Sequence, residues 1–159
     1  MSIRIEGRTI TFERTFDAPI DQVFAAYSEP KLFEQWFHPD HATTTVYEFD
    51  FKPGGRTFFS IATPDFTSYT VMHYDAIDAP HAFEYHDYFA NAEGDINPNM
   101  PSNHIFMTFT EHAGQTTVVS KSIFESEEMV QEMLRMGIET GMERTLDQLE
   151  TLLKARPSS

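Results

Sequence analysis

The sequence has no cysteine among its 159 residues. This absence excludes disulfide bonds, thiolate nucleophiles and zinc sites built on thiolates, and it agrees with a reducing compartment. The sequence also lacks an apolar run of membrane-spanning length and, near the N-terminus, the apolar core of a secretory signal peptide. We therefore expect a cytoplasmic protein that does not associate with membranes.

Basic residues are few: 11 lysines and arginines stand against 25 aspartates and glutamates, which gives a formal net charge of −14 at pH 7. Such a charge argues against nucleic acids and anionic membranes as partners, because both are themselves negatively charged. The acidic residues are spread along the chain, which favours a role in solubility over recognition of one basic partner.

Aromatic residues, in contrast, are abundant. They make up 14% of the chain, with 15 phenylalanines, and the hydrophobic fraction is 40%. This composition excludes a disordered chain and is sufficient for one hydrophobic core. We predict one domain spanning 1–159, with its core in residues 9–154.

Apolar residues alternate with polar ones in a series of segments, which predicts seven strands. The predicted strands are 9–16, 43–51, 56–62, 66–77, 81–89, 104–111 and 116–124. Two short helices, at about 19–27 and 31–36, follow the first strand. Short strands joined by tight turns indicate an antiparallel meander.

The last long segment, 126–154, has no proline and has apolar residues three and four apart, which predicts one amphipathic helix with Ser126 as its N-cap. The row of residues expected to face inward is small and polar in its middle. It consists of Val130, Leu134, Gly137, Gly141, Thr145, Gln148 and Leu152. Either bulky aromatic side chains pack into the notch at the two glycines, or the helix covers a cavity.

The order of elements and four local segments together resemble a known superfamily. The segments are RTFDAPIDQVFAAYSEPKLFEQWF, FKPGGRTFF, DAIDAPHAFEYHDYF and GMERTLDQLETLL. The chain resembles the START-like (SRPBCC, helix-grip) superfamily and, within it, the bacterial homologues of the C-terminal domain of the activator of heat-shock-protein ATPase. That family usually has a tryptophan beside the second helix glycine. This chain has Met142 there, which is expected to alter the shape of the cavity.

The resemblance implies an α+β helix-grip fold, in which a curved antiparallel sheet of seven strands wraps around a long C-terminal helix. It also implies a hydrophobic pocket between the two, and a protein that binds a small hydrophobic or aromatic ligand. We expect no cofactor, no metal and no catalytic residue, and either a monomer or a homodimer. The candidate pocket residues are Trp36, Phe58, Tyr69, His73, Tyr85, Met133, Gly137, Gly141 and Gln148.

Two other functions stay open. The name of the family suggests a cochaperone that stimulates the ATPase of a heat-shock chaperone and so acts in the stress response. Other members of the superfamily are cyclases or hydrolases. An enzyme of this kind predicts a pocket histidine or tyrosine, next to a carboxylate, that acts as acid or base.

Several histidines have two interpretations. His38 and His41 flank Asp40 in a loop that either binds a metal or is simply solvated. His73 and His104 face either the pocket or solvent. His81, His86 and Asp87 share a strand region, but His86 and Asp87 face opposite sides, which argues against a metal site or an acid–base pair there.

Arg14 and the methionines of the last segment also have alternatives. Arg14 lies on the apolar face of the first strand, where it either forms a structural ion pair or anchors a ligand. Met129, Met133 and Met136 either belong to an ordinary core or dimer contact, or line the mouth of the pocket. In the second case the loop 91–102 is long enough to act as a gate beside them.

Overall fold

The computed structural model describes residues 1–39 and 41–155. The strands of this part of the chain are β1 Ser2–Glu6, β2 Thr9–Phe16, β3 Thr43–Phe49, β4 Arg56–Ala62, β5 Thr67–Asp78, β6 Ala82–Ala90, β7 Ser102–His112 and β8 Gln115–Ile123. The helices are α1 Ile20–Ser28, α2 Pro30–Trp36, α3 Glu127–Arg135 and α4 Ile138–Ala155. The eight strands form one antiparallel sheet in the order β1-β2-β8-β7-β6-β5-β4-β3. The helices and this sheet give the predicted α+β, helix-grip architecture.

The strand count of seven was wrong, because the sheet has an eighth strand at its N-terminal edge. β1 pairs with β2 through a hairpin in which Gly7 has a φ of +57°, a conformation that favours glycine. Four of the five residues of β1 are exposed, and Ile3 is the partly buried one. Because so few of its residues are buried, β1 does not show the alternation of apolar and polar residues by which a strand is predicted from sequence.

The prediction of one continuous C-terminal helix was also wrong. Ser126 is the predicted N-cap, and its Oγ accepts a hydrogen bond from the backbone N–H of Met129 at 3.1 Å. The helix then stops, because Gly137 has a φ of +87° that cannot continue a right-handed helix. A new helix starts at Ile138. The break lets α3 pack on a small cluster around Ile10 while α4 packs on the main core.

The main core lies on one face of the sheet, which we call the inner face. Helices α1 and α2 are fixed to each other and to this face through Trp36, which is 1% exposed. Its Nε1 donates a hydrogen bond to the carbonyl of Ala26 at 2.9 Å, and its ring meets Tyr27 edge-on at 4.8 Å. Within the described ranges, no helix has the length and apolar character needed to cross a membrane.

A β-bulge in β3 changes which aromatic residues face inward. Regular alternation would place Tyr47, Phe49 and Phe51 on one face, but the register shifts between Val46 and Glu48. Phe49 and Phe51 pack against the main core, whereas Tyr47 is 53% exposed on the opposite, outer face. A bulge adds one residue to a strand, so it reverses the alternation that sequence patterns depend on.

Candidate functional site

A cavity of about 170 Å³ lies between the inner face of the sheet and helices α3 and α4. Most of its wall is apolar. The apolar lining includes Phe12, Trp36, Phe37, Ile105, Met133 and Met142.

The floor of the cavity carries small and polar side chains on three neighbouring strands. Ser120 and Ser122 come from β8, Asn103 from β7 and Asp87 from β6. Ser120 pairs with Met107, and Ser122 pairs with Ile105, so each serine stands beside a large side chain of the next strand. Serine occupies far less volume than its neighbours, and this local lack of side-chain atoms is a direct cause of the open space.

Asp87 is the most unusual member of this floor. It lies opposite Asn103 in the ladder, and both the backbone and the side chain of Asn103 form hydrogen bonds with it. Burial raises the pKa of Asp87 to about 6, although those bonds and the nearby His86 oppose the rise. At neutral pH the carboxyl group is therefore mostly ionised and can accept a hydrogen bond from a ligand.

Tyr85 lies on the same face of β6, two residues before Asp87, and is 8% exposed. Burial raises the pKa of its phenol well above the usual range, and the negative charge of Asp87 adds to the effect. The phenol thus keeps its proton at neutral pH and acts as a donor. Together, Tyr85 and Asp87 present one hydrogen-bond donor and one acceptor in the same apolar cavity.

Arg14 also lines the cavity and is held by helix α4. Its Nη2 lies 2.8 Å from Oδ1 of Asp147 and 3.1 Å from Oε2 of Glu150, and its side chain is only 12% exposed. Its Nη1 donates to the carbonyl oxygen of Glu143 at 3.3 Å. The arginine thus forms the structural ion pair that was one of its two interpretations, and it does so at the edge of the cavity.

Three of the predicted pocket residues, Trp36, Tyr85 and Met133, line this cavity. Gly141 instead lines a second, more open depression of about 230 Å³, and this depression shares Phe37, Ile138 and Met142 with the main cavity. Gly137 is exposed at the helix break. Apart from the adjacent backbone, a Cβ at either glycine would meet no atom within 4 Å, so no aromatic side chain packs against either glycine.

Gln148 lies away from the main cavity and bonds to the backbone. Its Nε2 donates to the carbonyl oxygens of His38 and Trp36, the latter at 3.4 Å. The Thr145 hydroxyl lies 2.9 Å from the carbonyl oxygen of Gly141 in its own helix and 3.3 Å from that of His38, and it shares its one proton between them. Gln148 therefore satisfies carbonyl groups at the C-terminal end of α2, which gives a structural reason for a polar residue at this position of α4.

Phe58, Tyr69 and His73 lie on the outer face of the sheet. In the β4–β5 ladder Thr57 pairs with Met72, and both belong to the inner face. The neighbouring positions therefore point outward, where Phe58 packs against Tyr69 with their ring centroids 6.2 Å apart. These residues were predicted to line the pocket because they are aromatic, but the face that each one occupies depends on whether its position in the strand points inward or outward.

The loop between β6 and β7 packs on the outer face as well. Arg56 donates to the carbonyl of Gly94 at 3.2 Å, and the glycine lies against the ring of Phe58. The loop thus lies on the side of the sheet opposite Met133 and does not cover the cavity as a gate.

Of the three methionines predicted to line the mouth of the pocket, only Met133 lines the cavity. Met129 packs in the small cluster around Ile10, and Met136 is 71% exposed.

Of the loop proposed to bind a metal, Asp40 lies outside the described residues. Nδ1 of His38 lies 3.0 Å from Oγ1 of Thr44, so this imidazole is already engaged in a hydrogen bond.

The sequence contains a signal for the polar floor of the cavity. In β6, β7 and β8, every second residue faces the core, and most of these inward-facing residues are apolar. The same positions also include Asp87, Asn103, Ser120 and Ser122. Asp87 follows Phe83 and Tyr85 at a spacing of two. A charged residue in phase with aromatic ones is a recognisable mark of a polar group within an apolar site.

Comparisons with known proteins place the chain in a family. The model of a family described as Activator of Hsp90 ATPase homolog 1-like protein matches residues 17–154. No curated protein matches the chain.

Solved structures agree with this match. An NMR structure of a Staphylococcus epidermidis protein is 46% identical, with a TM-score of 0.91 over 100% of this chain and 97% of that one. A crystal structure from Mycobacterium smegmatis is 29% identical, with a TM-score of 0.88 over 99% and 98% of the two chains. Because the family model covers six of the eight described strands and the four helices up to residue 154, the chain belongs to the Activator of Hsp90 ATPase homolog 1-like family, within the START-like superfamily.

Proposed function

We propose that the protein binds one small, largely apolar ligand that carries a single hydrogen-bonding group, in the cavity between the sheet and helices α3 and α4. The observation that carries this proposal is the combination of an apolar wall with the polar floor at Asp87. Ligand sites typically combine these two properties, because apolar contacts supply affinity and a few polar groups fix orientation.

The size of the cavity limits the ligand. At about 170 Å³ it is close to the roughly 150 Å³ of an apolar protein cavity known to bind benzene. Drug-sized ligands usually need about 300–1,000 Å³. We therefore propose a compound with one aromatic or aliphatic ring and a short polar substituent.

The second depression supplies a route by which such a ligand enters. It meets the main cavity at Phe37, Ile138 and Met142, and it opens to solvent beside Gly141. Phe37 follows α2, and Ile138 starts α4 next to the helix break. We propose that rotation of these three shared side chains connects the two spaces.

Phenol and toluene form a matched pair of probes, because phenol has a hydroxyl group at the position where toluene has a methyl group. Trp36 is the one tryptophan of the chain and lines the cavity, so its fluorescence reports occupancy. We expect a saturable change with both compounds above pH 7. Phenol should bind about tenfold more tightly than toluene, because it donates a hydrogen bond to Asp87.

A cavity-filling variant provides the control. Ser120→Leu places an isobutyl group in the floor and should abolish the response, whereas Thr110→Leu, at an exposed position of β7, should preserve it. An unsaturable response, or an equal response in Ser120→Leu, contradicts the proposal. Native mass spectrometry of the purified protein, followed by extraction of small molecules, then identifies the natural ligand.

An acid–base enzyme is the second candidate, and a specific observation favours it. Tyr85 and Asp87 lie together in the cavity, and the pKa of Asp87, about 6, is close to the value suited to a general base at neutral pH. Asp87 would remove a proton next to a carbonyl group, while the Tyr85 phenol would donate to the developing enolate oxygen.

Exchange of the α-protons of cyclopentanone in D₂O, followed by NMR, tests this reaction. The enzyme candidate requires exchange above the buffer rate in the wild-type protein and its loss in Asp87→Asn. Exchange at the buffer rate in both proteins excludes it, and leaves the binding function unaffected.

The family description also motivates a third candidate, stimulation of a heat-shock chaperone. Its test is the ATPase rate of the cognate Hsp90-type chaperone with and without the protein. An unchanged rate at micromolar concentrations of both proteins contradicts this candidate.

A further inference from the structure

A second cluster of reactive side chains lies on the outer face of the sheet, separated from the cavity by the sheet itself. It consists of Asp75 on β5, Glu84 and His86 on β6, and His104 on β7. We propose that these four side chains form a binding site for a divalent transition-metal ion such as Zn²⁺.

The ligand atoms already lie close together. Nδ1 of His86 is 2.6 Å from Oδ2 of Asp75, and Nε2 of His104 is 2.7 Å from Oε2 of Glu84. Nε2 of His104 also lies 3.9 Å from Oδ2 of Asp75. In a tetrahedral zinc site, neighbouring ligand atoms are roughly 3.3–3.6 Å apart, so each of these three distances lies within about 1 Å of that spacing.

The backbone contributes directly to this arrangement. His86 pairs with His104 across the β6–β7 ladder, which fixes both imidazoles on one face. The β5–β6 register shifts between Tyr74 and Ala76, so Asp75 is the extra residue of a β-bulge. A bulge interrupts the ladder and redirects a side chain. Asp75 follows the inward-facing Tyr74, so its carboxylate points to the outer face, and the bulge leaves it without a ladder partner there, beside His86.

The chemistry of the four groups suits a borderline metal. Imidazole nitrogen and carboxylate oxygen together are common ligands of zinc, whereas calcium and magnesium sites use oxygen ligands. The two carboxylates contribute two negative formal charges, which a divalent cation neutralises. All four side chains are about one-third exposed, so an ion can reach them from solvent.

One local movement accompanies binding. The two imidazole rings are stacked, with centroids 4.0 Å apart and planes 17° apart. A metal binds in the plane of each ring, so at least one ring must turn about its Cβ–Cγ bond before both nitrogens face the same ion. The hydrogen bonds to Asp75 and Glu84 are exchanged for metal bonds in the same movement.

Calorimetric titration of the untagged, metal-free protein with ZnCl₂ tests the site. We expect one zinc ion per chain with a micromolar dissociation constant. His86→Ala and His104→Ala should each weaken binding by more than tenfold, since even the loss of an outer-shell partner costs about 10–100-fold. Titration with Co²⁺ supplies a second measurement, because visible absorption bands report imidazole and carboxylate coordination.

Histidines elsewhere in the chain provide matched controls. His81→Ala and His112→Ala remove exposed imidazoles far along the ladders from the cluster and should leave the affinity unchanged. Two outcomes overturn the proposal. One is the absence of saturable binding up to millimolar zinc. The other is an affinity that both cluster variants retain, which assigns the binding to scattered carboxylates of this acidic chain.

Discussion

At the scale of single residues, Asp87 links the charge of the cavity floor to the stability of the fold. Its pKa of about 6 in the folded protein lies above the ordinary value of 3.8. The contribution that this group makes to folding is therefore complete below about pH 4 and is lost as the pH rises through 6. A difference of this size corresponds to about 3 kcal/mol.

We therefore expect Asp87→Asn to raise the free energy of unfolding by about 1–3 kcal/mol at pH 8 and to change it little at pH 4. Urea denaturation at the two pH values measures this. Asp78→Asn, at an exposed position of β5, is the control and should leave the pH dependence as in the wild-type protein. A variant that is equally destabilised at both pH values would show that the carboxyl group acts only through its contact with Asn103.

Single residues also show the limit of sequence reasoning about the site. Trp36, Tyr85 and Met133 were predicted to line the pocket, and the structure brings them together at one cavity. Gln148 was also predicted to line the pocket, because it is a polar residue on the inward side of the helix. Its side chain instead donates hydrogen bonds to the carbonyls of Trp36 and His38, which are more than 100 positions away in the sequence. Such a contact leaves no local pattern.

At the scale of elements, the two glycines of the C-terminal segment have opposite roles. Gly137 has a φ of +87° and ends α3, whereas Gly141 lies within α4. Gly137→Ala should reduce the free energy of unfolding by about 1 kcal/mol, because a left-handed conformation is strained for alanine. Gly141→Ala should increase it by a similar amount, because alanine is the better helix former and its methyl group meets open space.

Thermal and urea denaturation of the two variants compare these effects under identical conditions. Each glycine serves as the control for the other, since both substitutions add the same methyl group to the same helical segment. A stabilised Gly137→Ala protein would indicate that α3 and α4 form one continuous helix in solution.

The elements themselves were largely predictable, and the exceptions have physical causes. Seven strands and the two short helices follow from alternation and from turn residues, which are local signals. β1 was not predicted because it buries almost no side chain. The helix break at Gly137 was not predicted because glycine occurs both within helices and at their ends. The bulges in β3 and β5 depend on the register with a neighbouring strand, which no single segment contains.

At the scale of the whole molecule, the sheet separates two kinds of chemistry. Its inner face is mostly apolar and carries the cavity, and its outer face carries the histidine and carboxylate cluster. Adjacent residues of one strand thus serve both, since His86 points outward and Asp87 inward. The two proposed sites are therefore testable independently, although each change at one of them alters the charge close to the other.

The net charge of −14 acts on the molecule as a whole. Like charges repel more strongly in the compact state, so screening by salt should stabilise the fold. Raising NaCl from 10 mM to 500 mM should increase the free energy of unfolding in urea by on the order of 1 kcal/mol.

A variant with less charge provides the control. Replacing Glu13, Glu93 and Glu143, all exposed, with glutamine changes the charge from −14 to −11. Because self-repulsion grows roughly with the square of the charge, this triple variant should lose about two fifths of the salt response. An undiminished response in the variant would assign the effect of salt to local ion binding rather than to the total charge.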